Sequence, residues 1–179
     1  MALKATIFKT DLQISDMDRH HYQSYSLTLA RHPSETDERM MVRLLAFALN
    51  ANDALSFTKG LSSDSEPDLW QRSLCDDIEL WIELGQLDEK RLRRACGKAK
   101  QVIVYLYADR SATVWWEQNK DMLKRFSNLR IVRLSVTSET QLNVLSQRNM
   151  HLNATIQENQ VWLSDDKQAV TVEVSDWFH

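Results

Sequence analysis

Asp68 and Glu83 are the two residues whose types and surroundings point most directly to chemistry. Asp68 follows Pro67 and precedes a turn-like stretch. Asp77 then opens a run in which Ile78, Leu80, Ile82 and Leu84 fall on one face and Glu79, Trp81 and Glu83 on the other. Strict alternation is the mark of a strand with one buried face. An acid held at a strand end, with a second acid on the open face of the next strand, is one way to assemble oxygen ligands for a hard divalent cation. On this reading Asp68 and Glu83 hold Mg²⁺, which positions water and stabilises charge at a phosphodiester. The competing reading is an acid capping a turn and a solvated strand acid.

Other side chains would complete such a site. Glu38 shares a helical stripe with Val42, Leu45 and Leu49, so it is expected on a buried side, reaching the cleft as a third acid, pairing with Arg39 or Arg43, or simply favoured by the helix N-terminus. Lys90, Arg94 and Lys98 recur every four residues and form one basic stripe, a phosphate-binding face or simply a solvated one. Trp81, on the face of Glu79 and Glu83, is placed to stack a nucleic-acid base. Trp115 and Trp116 are expected in the core or at its margin. The five histidines show no metal-ligand spacing, and no glycine-rich phosphate loop or GxSxG motif is present.

The elements that position these residues are legible from periodicity. Residues 2–14 and 21–31 alternate and flank the turn chemistry of Ser15 to Asp18, which predicts a long hairpin. His32-Pro33-Ser34 ends it, with Ser34 as N-cap of a largely buried helix over 35–51. A short strand over 55–59 and a polar loop over 60–66 follow. Beyond the strand at 77–84, a helix is expected at 88–97, a central strand at 101–107, a helix at 111–126 and a strand at 129–136. Ser138 to Gln141 resembles a capping box opening a short helix. From Leu152 onward, turns at Glu158-Asn159 and Asp165-Asp166 separate three alternating runs, an antiparallel meander. The scarce glycines mark backbone needs: a loop at Gly60, a strand exit at Gly85, a helix end at Gly97.

The acid spacing resembles the active-site pattern of the PD-(D/E)xK nucleases, with one departure: Gly85 stands where that superfamily places lysine. The resemblance implies an α/β, restriction-endonuclease-like αβββαβ core, here with an N-terminal β-hairpin and a C-terminal antiparallel meander. The role of lysine would then fall to Gln86, through its amide, or to a cation of the following helix: Lys90, Arg91, Arg94 or Lys98. Three longer segments carry a narrower resemblance: His32-Pro33-Ser34-Glu35-Thr36-Asp37-Glu38-Arg39 running on to Ala48, Gly60-Leu61 leading to Glu66-Pro67-Asp68-Leu69-Trp70, and Trp81-Ile82-Glu83-Leu84-Gly85-Gln86. They resemble the YaeQ family, small bacterial proteins of nuclease-like fold, over essentially the whole chain.

Composition sets the frame. The 179 residues suffice for one domain with a sizeable core, and residues 1–179 are read as one. A net charge of −3 excludes a wholesale polycation but not a local basic groove. No apolar run approaches a bilayer span and residues 1–10 lack the pattern of a signal peptide, so a cytoplasmic protein with no membrane partner is expected. Cys75 and Cys96 read as reduced thiols. Two functions stand open: a metal-dependent phosphodiesterase, or a degenerate nuclease fold that binds nucleic acid or a protein partner without cutting.

Overall fold

The protein is described by a computed structural model that covers residues 4–59 and 63–178. The expected start of the first strand at residue 2, the Gly60 loop and the terminal His179 lie outside the described residues. These hold β1 (Thr6–Asp16), β2 (His21–Arg31), α1 (Asp37–Asn50), β3 (Leu55–Phe57), β4 (Leu69–Arg72), β5 (Ile78–Leu84), α2 (Glu89–Lys98), β6 (Ala99–Leu106), α3 (Asp109–Leu123), β7 (Leu129–Val136), a 3-10 turn (Leu142–Leu145), β8 (Asn149–Gln157), β9 (Gln160–Ser164) and β10 (Ala169–Phe178). The chain gathers into two compact units: Met1–Asn50 with Val136–Val174, and Ala51–Ser135 with Ser175–His179.

The first unit is built on strands in the order β2-β1-β8-β9-β10. β1 and β2 pair antiparallel over their whole length, from Thr6 opposite Arg31 to Asp16 opposite His21. β1 also pairs parallel with β8, and β8, β9 and β10 run antiparallel in turn. The predicted hairpin and meander are therefore present. Along β1 the even-numbered residues from Phe8 to Ile14 are buried and Lys9, Asp11 and Gln13 exposed, the period-2 pattern of a sheet with one solvated face. The β8–β9 turn places Glu158 and Asn159 at φ 50° and 60°. Two successive residues at positive φ match the twist of a two-residue hairpin. Asp18, in the β1–β2 turn, accepts from both of their backbone N–H groups at 2.8 and 3.2 Å.

α1 is buried without interruption from Met40 to Ala48 and packs on β2 and the 3-10 turn. Its N-cap is Thr36, which accepts from the Arg39 N–H at 3.1 Å, rather than Ser34, whose hydroxyl meets His32 Nδ1 at 2.6 Å. The helix thus begins two residues later than the sequence suggests. The buried acid is Glu35, just before the helix, while Glu38, in the first turn, is exposed. Glu35 accepts from Arg43 Nη2 at 2.7 Å, Arg43 Nε at 3.0 Å and Arg39 Nη1 at 2.7 Å, and Arg43 also donates to the Ala30 carbonyl of β2 at 3.1 Å. This knot ties the start of α1 to the end of β2.

The second unit runs β7-β6-β5-β4-β3, with β3, β4 and β5 antiparallel and β5, β6 and β7 parallel. Trp81, Leu92, Val104, Trp115 and Ile131 belong to its core, with Trp177 and Phe178 at the margin. β4 occupies the stretch read from sequence as turn-like. Only four residues long, with a register shift between Gln71 and Arg72, it is too short to display alternation and is held by its two neighbours.

A restriction-endonuclease-like αβββαβ core is not the architecture. Ten strands dominate the described residues, in mixed parallel and antiparallel pairing, against three α-helices. α1 belongs to the first unit, whereas β3 to β6 and α2 belong to the second, so the six elements do not form one compact core. The 35–51 helix, expected on the β5–β6 pair, instead has β2 and the 3-10 turn as its main packing partners, within the first unit.

The Glu35 knot yields a stability prediction. Glu35→Ala takes the carboxylate away from Arg43, a charge only 3% exposed, so unfolding free energy should fall by about 3–5 kcal/mol in urea titrations. Glu38→Ala, at an exposed position, should change it by no more than about 0.5 kcal/mol.

Candidate functional site

The β4–β5 hairpin brings the two acids of interest into one unit. Asp68 sits at the entrance to β4, its N–H donating to the Ile82 carbonyl at 3.0 Å. Its Oδ2 accepts from the Leu84 N–H at 3.0 Å, so the carboxylate spans from the start of β4 to the end of β5. Glu83 lies on β5 one residue before that contact. Both acids are buried, at 3% and 2% exposure.

The face of β5 expected to be open is covered. Residues Trp81 to Leu84 are all buried, and Trp81, 1% exposed, packs with Leu92 and Ala95 of α2 and Trp115 of α3. Trp81 offers no ring face to a base. Its indole N–H instead donates to Glu83 Oε1 at 3.0 Å. Trp70 is half-buried and meets Trp81 edge-on at 6.4 Å, with the Arg72 guanidinium 5.0 Å from its ring centre. Trp115 donates to the Leu87 carbonyl at 3.0 Å, and Trp116 packs against Trp177.

The cation at this site is Arg91. Asp88 caps α2 by accepting from the Arg91 N–H at 2.7 Å, which fixes the first turn and directs this arginine inward. Arg91 Nε lies 2.9 and 3.0 Å from the two oxygens of Glu83, and Nη2 lies 2.8 Å from Oε1. The same guanidinium donates to the carbonyls of Asp64 at 3.2 Å and Glu66 at 3.1 Å. Arg94 adds a bond to the Asp64 carbonyl at 3.1 Å. Arginine suits this task because its planar fork presents several donors at once.

Burial pushes the Glu83 carboxyl up from its ordinary value of 4.5, and the neighbouring Asp68 charge acts in the same direction. The bonds and charge of Arg91 and the bond from Trp81 oppose the rise without cancelling it. Burial by itself would lower Arg91, but the Glu83 bond and the charges of Glu83, Asp68 and Asp64 outweigh it, so the guanidinium is held more firmly charged.

The remaining predicted residues lie elsewhere. Gln86 is exposed in the turn beyond Gly85. Lys90, Arg94 and Lys98 are exposed along α2. Glu38 is exposed on α1, in the first unit, whereas Asp68 and Glu83 belong to the second. Cys75 is exposed in the β4–β5 turn, and Cys96 is half-buried on α2 with its thiol pushed up to about 11 by burial. Arg91 is one of four candidate cations that the helix after β5 offers in sequence, with Lys90, Arg94 and Lys98. Its separate role was readable only from Asp88 as the cap that turns it inward.

Gly85 stands where the nuclease resemblance implies a lysine, and its backbone conformation favours glycine. Its φ is +90°, in the left-handed region, while its N–H donates to the Tyr105 carbonyl at 2.8 Å. Side chains are disfavoured there by the backbone itself. A Cβ at this position meets no atom within 4 Å, so the cost is conformational and not steric crowding. Gly85→Ala and Gly85→Lys should therefore each destabilise by about 1–2 kcal/mol, measured by denaturant unfolding. A much larger loss for lysine alone would point to crowding.

A second prediction follows from Glu83. The folded chain binds the Glu83 proton more tightly than the unfolded chain does, so the stability it contributes is full below 4.5 and is lost as pH rises through the raised folded value. The Tm of Glu83→Gln relative to the native protein should accordingly climb as pH increases above 4.5. A falling difference would mean that the Arg91 pair outweighs burial.

The comparisons with known proteins agree over nearly the whole chain. The family model described as YaeQ protein matches residues 1–174. A relative from Escherichia coli strain K12, called "Uncharacterized protein YaeQ", is 46% identical over 177 residues, covering 99% of this chain and 98% of that protein. One of the same description from Salmonella typhi is 44% identical over 177 residues, with the same 99% and 98% coverage. The crystal structure of a YaeQ protein from Xanthomonas axonopodis pv. citri superposes with a TM-score of 0.90 at 46% identity, covering 97% of this chain and 98% of that one. That of Pseudomonas syringae gives 0.89 at 35% identity, covering 98% and 97%. By sequence and by structure, the chain belongs to the YaeQ family.

Proposed function

We propose that this protein is a binding module that engages the phosphates of nucleic acid through α2 and does not cut them. The observation that supports this reading is the use made of Glu83. Both of its oxygens are taken by Arg91, whose remaining donors hold the carbonyls of Asp64 and Glu66. The acids and the arginine then act as a clasp that fixes α2 against the end of β5. What α2 presents outward is basic: with Arg91 turned inward, Lys90, Arg93, Arg94 and Lys98 are exposed beside the single acid Glu89. Lys90 and Lys98 form no ion pair among the described residues, and Arg94 keeps donors beyond its single carbonyl bond.

The donor set is a poor match for Mg²⁺, the ion expected from the paired acids. Mg²⁺ demands near-octahedral oxygen geometry with carboxylate lone pairs directed at it. Here one of the two carboxylates is spent on a guanidinium, and among the described residues no three His, Cys, Asp or Glu side chains converge.

Salt-dependent binding tests the proposal. Fluorescence anisotropy with labelled single- and double-stranded DNA and RNA at about 50 mM salt should show binding that weakens with a log–log slope of about −2 to −3, as three phosphate contacts require. Lys90→Glu with Lys98→Glu should weaken binding to all sequences alike and flatten that slope, with Tm nearly unchanged. Absence of binding at low salt to every one of these probes overturns the reading in favour of a protein partner.

A further inference from the structure

One side of the basic helix borders a strand that carries two planar side chains. α2 begins just beyond the Leu84 end of β5 and ends at Lys98, where Ala99 of β6 stands opposite Ile78. It therefore travels back over β5, a path of about 15 Å. Arg91 is held at Glu83 and, with Arg94, reaches the Asp64 carbonyl, so this side of the helix faces the segment that leads into β4. Lys98 lies one turn beyond Arg94 on the same side. Both Arg94 and Lys98 are exposed.

β4 runs beside β5 in the opposite sense, with Trp70 opposite Trp81 and Arg72 opposite Ile78. Directly opposed residues point to the same face of a sheet. Trp70 thus shares the face on which Leu92 and Ala95 of α2 pack over Trp81. The Arg72 guanidinium lies 5.0 Å from the Trp70 ring centre, so it stands on that face too. Trp70 is half-buried and meets Trp81 edge-on, which fixes its ring, while the Arg72 side chain is 41% exposed. Arg94 and Lys98 therefore flank a planar cation seated on an indole, all within the second unit. Of the acids nearby, Glu79 is bound by Lys100 at 2.7 Å and Asp64 acts on Arg91. Asp76 lies 3.3 Å from Arg72 Nη2, but its side chain is 82% exposed, and so open an ion pair holds a guanidinium weakly.

We propose that this strip selects single-stranded nucleic acid: a base stacks on the Arg72–Trp70 pair while the adjoining phosphates lie on Arg94 and Lys98. The selection rests on phosphate binding by α2 and adds what phosphate contacts alone do not supply. Inside a duplex each base is paired and enclosed by its neighbours, whereas an unpaired base can be splayed onto a guanidinium or an aromatic ring. Every base has a π-face, so such stacking tolerates any sequence.

Fluorescence anisotropy with the full chain at about 50 mM salt tests it. The probes are a labelled DNA strand of about twelve nucleotides, its duplex, and an abasic strand with the same backbone charge. The intact strand should bind at least about tenfold more tightly than either of the others. Arg72→Lys keeps the charge and removes the plane. It should weaken binding of the intact strand about tenfold, leave the abasic strand and the salt slope unchanged, and leave Tm native. Equal affinity for all three probes overturns the inference, as does undiminished binding in Arg72→Lys. If Lys90→Glu with Lys98→Glu still weakens binding in either of those cases, the phosphate-binding helix stands without the stacking platform. Failure of all three probes to bind overturns both.

Discussion

The second unit is organised around a carboxylate that has been taken out of water. Glu83 is 2% exposed, and an unpaired charge in that position would cost several kcal/mol. Arg91 answers the requirement, and its placement then constrains everything nearby. α2 must start at Asp88 for the guanidinium to arrive. The chain must turn sharply at Gly85 to bring α2 there. The backbone around Asp64 and Glu66 must offer its carbonyls to the donors that Glu83 leaves over. Asp68 adds a second negative charge from β4, which makes the arginine harder to replace by a neutral residue.

The first unit meets an analogous demand with Glu35. There one acid serves two arginines, and Arg43 extends to a backbone carbonyl on the neighbouring strand. Both units thus rest a helix start on a buried arginine–carboxylate contact. Buried ion pairs are weak sources of net stability, because desolvation offsets most of their attraction. Their value lies in direction: an apolar contact lets a helix slide or rotate, whereas a bidentate guanidinium accepts one geometry.

Much of the fold was legible from period-2 patterning, because β1, β2 and the three C-terminal strands each solvate one face and their residues record it. β5 misled for the converse reason. Ile78 to Leu84 alternates in type, yet α2 and α3 cover the face that carries Trp81 and Glu83, and two polar-seeming positions became the inside. Alternation reports residue type and says nothing of what is laid over it. The αβββαβ order was readable as a succession of elements, but succession does not say which elements pack together, and α1 packs within the other unit. The candidate site was half readable. Asp68 and Glu83 do share a unit and Glu83 senses the charge of Asp68, while Glu38, on the stripe of Val42, Leu45 and Leu49, is exposed because it sits in the first turn of α1, ahead of the buried stretch that begins at Met40. Arg91 was hidden among like residues, since a basic stripe does not announce which member turns inward.

The two cysteines differ in a way that bears on how the molecule can be observed. Cys96 keeps its proton at neutral pH because burial raises it to about 11, and a protonated thiol is a poor nucleophile. Cys75 stands exposed in the β4–β5 turn, beside the wholly exposed Leu74. A maleimide dye or spin label would thus attach at one end of the hairpin whose other end carries Asp68 and Glu83, without any engineered residue. The native chain supplies its own reporter handle, a few residues along two paired strands from the arginine clasp.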